Sequence, residues 1–122
     1  MPLDSKAKEA ILKFTKEAIE SLQESSFDGM RKLLVRLIAI ADIFPDEEWS
    51  KELNLAALAL GEIGAGTEED FEEMDRERKD HIIDAYSEFL NSFYKAIEEE
   101  DISKVDDVLK EFVTFFLKEV GL

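Results

Sequence analysis

Between Leu33 and Phe44 the chain is polar only at Arg36 and Asp42. The flanking periodicity is helical, so this stretch predicts a second helix over about Phe27 to Ile43, apolar nearly all round. A helix of that kind must be covered on every side. In 122 residues, two arrangements achieve this: the helix is the most buried element of its own bundle, or part of it packs against a second copy. Pro45 closes it, because proline disfavours the α region at the residue before it.

The other segments share the helical period. Ala7, Ile11, Phe14, Ala18, Ile19 and Leu22 predict a first amphipathic helix, capped by Asp4 or Ser5 and ending near Ser25. Ser26 or Asp28 caps the second. Asp46, Glu47 and Glu48 open a third, which suits the positive end of the helix dipole. Its apolar face holds Trp49, Leu53, Ala56, Ala57, Leu60 and Ile63, and Gly61, Gly64 and Gly66 unwind it into a loop. Thr67-Glu68-Glu69-Asp70 resembles a capping box for a fourth helix reaching about Glu99. Asp75 and Arg78 interrupt its apolar stripe, so it either runs through with the two paired or bends there. Ser103-Lys104-Val105-Asp106 predicts the cap of a last helix ending at Gly121. No strand alternation and no hairpin turn joining two strands appears. The expectation is one all-α domain over 1–122, a compact bundle of four to five antiparallel helices in which the second, about 27–43, is the most buried.

Charge narrows the function classes. Lys and Arg number 15 against 30 acids, a formal charge of −15. That argues against nucleic acid and against an anionic membrane surface as partners. No apolar run approaches the ~20 residues of a spanning helix. The absence of cysteine removes disulfides, thiol catalysis and zinc–thiolate sites. The opening residues lack a secretory pattern, so the expected location is cytoplasmic. Asn and Gln are scarce (Asn54, Asn91, Gln23) and eleven Lys stand against four Arg, a thermophile-like composition.

The acidity is concentrated: residues 1–45 are neutral overall, whereas 67–101 carry −10. On a helical wheel Glu73, Glu77, Asp80, His81, Asp84 and Glu88 share about a third of the circumference. Oxygen ligands and an imidazole at such spacing suit Mg²⁺ or Mn²⁺, so Glu73, Glu77, His81, Asp84 and Glu88 are the candidate metal ligands. The spacing is unspecific. A di-iron bundle needs Glu-x-x-His on two helices, and Arg78 stands three before His81. The bland alternative is a solvated acidic face, and between them lies a docking face for a basic protein. Gly61-x-x-Gly64-x-Gly66 follows a helix and lacks the P-loop lysine, so it reads as a helix end.

For association, the small residues Ala57 and Gly61 permit close approach. Leu37 and Ile40 lie on the all-apolar helix, and Phe115 cannot share a face with Phe116, leaving it a candidate anchor. The expectation is therefore a non-enzymatic interaction or regulatory module, homodimeric, needing no cofactor. The second reading is a divalent-metal-dependent hydrolase of phosphorylated small molecules, built on the carboxylate row.

Overall fold

The computed structural model describes residues 3–44, 47–62 and 66–119. Among these the structure is helical: α1 Ser5–Leu22, α2 Phe27–Ile43, α3 Glu47–Leu60, α4 Glu68–Glu73, α5 Arg76–Glu98 and α6 Ile102–Glu119. Six helices replace the four to five expected, because the predicted fourth helix breaks in two. At the break Asp75 adopts extended backbone (φ −68, ψ 158), and its carboxylate accepts the Arg78 N–H at 2.9 Å, capping α5. Asp75 thus meets the backbone of Arg78 rather than its guanidinium. A one-turn helix is left before it, capped by Thr67 on the Asp70 N–H at 3.1 Å.

The remaining caps follow the same chemistry. Asp4 accepts from Ala7 N–H at 2.8 Å and Ser26 from Gly29 N–H at 3.0 Å. The last helix starts earlier than its predicted box, because Asp101 accepts from Lys104 N–H at 3.1 Å and makes itself the cap. Pro45, Asp46, Ile63, Gly64 and the end at Gly121 lie outside the described residues.

Helix neighbours form a closed ring in the order α1, α2, α3, α6, α5 and back to α1, with α4 laid against α2. A ring of five cannot alternate direction all the way round. Side-chain pairs locate the exception. Arg36 meets Glu17 and Lys32 meets Glu24, so α1 and α2 run antiparallel. The Ser50 hydroxyl donates to the Ala41 carbonyl next to the α2–α3 turn, and Phe89 stacks on Phe112 between α5 and α6 while Arg78 reaches Glu119. Lys8 pairs with Glu100, making α1 and α5 antiparallel too. The parallel pair is α3–α6, where Trp49 Nε1 near the start of one donates to Asp106 Oδ1 near the start of the other at 3.2 Å. The expectation of antiparallel neighbours throughout is corrected at that one seam.

The core fills the ring with Ile11, Leu33, Leu37, Ile40, Leu53, Leu90 and Phe93, all fully buried. Tyr86 is buried among them and satisfies its hydroxyl by donating to the Ala56 carbonyl at 2.7 Å. Burial pushes that phenol well above the usual tyrosine range, since the phenolate would lose its water. The second helix is not the most buried element. Six of the 14 residues of α3 are buried, against six of the 17 of α2. The polar interruption at Arg36 is resolved by Glu17 of α1, at 2.5 Å, with the Phe14 ring 5.8 Å from the guanidinium carbon.

Gly29, in the first turn of α2, lies close against the end of α1. A Cβ there would stand 2.4 Å from the Ser21 carbonyl oxygen. The missing side chain lets α2 start directly against the end of α1.

Candidate functional site

The break at Asp75 separates the predicted metal ligands. Glu73 lies on α4, while Glu77, His81, Asp84 and Glu88 lie on α5 and point outward. Among the described residues no three His, Asp or Glu side chains are grouped so as to hold a metal ion. Helical spacing puts carboxylates on one side, but a single straight helix keeps its successive turns too far apart to close round one cation.

His81 has a partner absent from its own helix. Its Nε2 lies 3.0 Å from Glu119 Oε1, and the Arg78 guanidinium takes the other carboxylate oxygen. The Glu119 side chain is 17% exposed and that of His81 53%. The hydrogen bond from His81, then that from Arg78, holds the Glu119 carboxyl below the usual glutamate range. An anion at the C-terminal end of a helix opposes the helix dipole, so α6 on its own would disfavour Glu119 there. The facing helix compensates by supplying both donors. Chemically the arrangement is a clasp between the last turn of α6 and the first turns of α5. Glu77 and Asp84 are the carboxylate neighbours of His81 along the helix. Its recorded partner comes instead from 38 residues away.

Above the clasp, α5 and α6 enclose an open groove of about 170 Å³ lined by Ala85, Glu88, Phe89, Ser92, Val108, Glu111, Phe112 and Phe115. Phe89 and Phe112 stack with centroids 4.2 Å apart, and Phe112 and Phe115 follow at 5.7 Å. Phe115 is thus half-buried against the core, and its ring also lies 5.7 Å from that of His81. It is a groove wall rather than a free-standing anchor.

The other sequence-derived interface residues divide by depth. Leu37 and Ile40 are fully buried and Ala57 nearly so, all consumed by packing within the chain, while Gly61 is exposed. The α2 side chains that face solvent are instead Val35, 52% exposed, and Ile38, 40%. On α3 they are Leu55, 40%, and Leu58, 66%. The composition of α2 pointed to this face, but its phase round the helix depended on where α1 and α3 pack. The groove went unforeseen, because its walls come from two helices whose pairing no local pattern specifies.

Neither a family model nor a curated protein nor a solved structure matches the chain.

Proposed function

We propose that the chain is a non-enzymatic, cytoplasmic interaction module that works as a homodimer through the outer face of α2 and α3. The supporting observation is the clustering of exposed apolar side chains. Among the described residues six large hydrophobic side chains are exposed to water, and four of them (Val35, Ile38, Leu55, Leu58) lie on these two adjacent helices. Isolated exposed leucines are ordinary, whereas several on one face mark an association surface.

Charge favours this face over the acidic side formed by α4 and α5 as the place where two copies meet. Residues 1–45 sum to zero, while the −10 stretch of 67–101 lies on α4 and α5. Two copies meeting through α2 and α3 keep their acidic helices out of the interface, which limits self-repulsion. The rim carries both signs, since Arg31 and Asp42 each lie one turn beyond the exposed apolar pair of α2, and Lys51 and Glu62 one turn beyond that of α3. A two-fold axis can set unlike charges opposite each other there. The acidic side of α5 stays open in such a dimer and suits a basic protein partner.

Sedimentation velocity at tens of micromolar tests the proposal. The expected species is twice the 14.0 kDa protomer. In an isologous dimer each substitution acts twice, so Leu58→Glu removes about 3 kcal/mol of apolar burial, roughly a hundredfold in Kd. The variant should sediment as a monomer with unchanged helicity. A strictly monomeric parent overturns the dimer, and a Leu58→Glu chain that dimerises like the parent overturns the face.

A further inference from the structure

The groove between α5 and α6 combines two features that seldom occur together by default. Its floor is aromatic and aliphatic: Phe89, Phe112, Phe115 and Val108. Its rim holds one carboxylate from each helix, Glu88 of α5 and Glu111 of α6, with the small side chains of Ala85 and Ser92 leaving the space open between them. Both glutamates are exposed, and among the described residues neither belongs to an ion pair. Lys110, next to Glu111 in sequence, is engaged elsewhere, 2.7 Å from Asp106.

An apolar floor beneath two unpaired carboxylates complements a molecule with a hydrocarbon body and a positive head. We propose that this groove is a binding site for a small organic cation, an alkyl- or arylammonium ion whose head lies between Glu88 and Glu111 and whose body lies on the phenylalanines. The phenylalanine side of the groove supplies apolar contact for the body, and the two carboxylates attract the head. The volume of about 170 Å³ fits a small ligand. Drug-sized molecules occupy about 300–1,000 Å³. An anion is repelled by the rim and by the surrounding −10 stretch, and a neutral hydrocarbon forgoes the carboxylates.

The site is independent of the dimer proposed above, since its walls come from α5 and α6 and not from α2 and α3. A chain that fails to dimerise can still bind the cation, and the reverse also holds.

The test is a ¹H–¹⁵N and methyl NMR titration of the full chain with hexylammonium chloride, run in parallel with hexanol and hexanoate. Hexylammonium should give saturable shifts centred on Ser92, Val108 and Glu111. Glu88→Gln with Glu111→Gln should raise its Kd about tenfold, as expected for two exposed ion pairs. Asp80→Asn with Asp84→Asn removes the same charge from α5 outside the groove and should change Kd less than twofold. Ser92→Phe, which fills the groove and leaves both carboxylates in place, should abolish the shifts. Equal weakening by the two double variants overturns the site in favour of general attraction to an acidic surface. Hexanol binding as tightly as hexylammonium, or saturable binding that survives Ser92→Phe, overturns it as well.

Discussion

Tyr86→Phe should produce a stability difference that reverses sign with pH. The hydroxyl of Tyr86 is fully buried and donates to the Ala56 carbonyl at 2.7 Å. Replacing it with hydrogen removes one buried hydrogen bond and opens little space, a net cost of about 1 kcal/mol near neutral pH. At high pH the phenol acts in the opposite direction. Burial raises its pKa in the folded chain, whereas the unfolded chain keeps the ordinary value of about 10. The raised group contributes its full stability below the unfolded pKa and loses it as pH climbs beyond, because only the unfolded chain can release the proton. The slope is one proton, about 1.4 kcal/mol per pH unit once the pH is well past 10. Phenylalanine carries no such penalty. The 1 kcal/mol advantage of the parent is therefore used up at about pH 10.6, and above that the variant is the more stable. Urea denaturation of both chains at half-unit steps from pH 8 to 11.5 measures the crossing directly. Lysine titration is common to both chains and cancels in the difference. A parent–variant difference that stays constant from pH 8 to 11.5 would refute the reasoning. It would mean that the Tyr86 phenol ionises as readily in the folded chain as in the unfolded one.

Two further outcomes follow from the packing. Gly29→Ala should destabilise the chain by about 1–2 kcal/mol in thermal melts, although alanine is the better helix former by about 1 kcal/mol. The added Cβ would stand 2.4 Å from the Ser21 carbonyl oxygen, and backbone yields less readily than a side chain, so a gain in stability would show that α1 and α2 are not in close contact there. For the clasp, Glu119 has a lowered pKa, so its contribution is present above the ordinary glutamate range of about 4.3 and disappears as pH falls through the lower folded value. Amide exchange protection in the last turn of α6 should decline between pH 5 and 3 in the parent. In Glu119→Gln it should be low and flat, and an identical decline in both chains would remove Glu119 as the cause.

Features that depend on neighbours within one or two turns were legible in the amino-acid order. The bounds of α2 came from the turn residues before Phe27 and the proline after Phe44, and the caps Asp4, Ser26 and Thr67 from side chains three residues ahead of the amides they satisfy. Asp75 and Arg78 announced a disturbance in an apolar stripe. Whether it would be a pair or a break was undecided, because an Asp can serve either as a helical ion-pair partner or as an N-cap. The structure takes the break: Asp75 adopts extended backbone and spends its carboxylate on the Arg78 N–H as the cap of α5.

Everything that joins distant segments required the assembled ring. Glu119 lies 41 residues from Arg78 and 38 from His81, and Tyr86 lies 30 from the carbonyl it reaches. Nothing in those residue types distinguishes them from the other exposed acids or core aromatics. The amino-acid sequence alone determined that the chain is helical, where α1, α2 and α4 begin, and that its acidity gathers between residues 67 and 101, since these rest on hydrogen bonds and side-chain spacings within a few residues. The tertiary structure decided which face of α2 meets water, which helix pair runs parallel, and which carboxylates gain partners. Those outcomes rest on how five amphipathic helices close into a ring, and an apolar stripe specifies only that it must be covered, not by which neighbour.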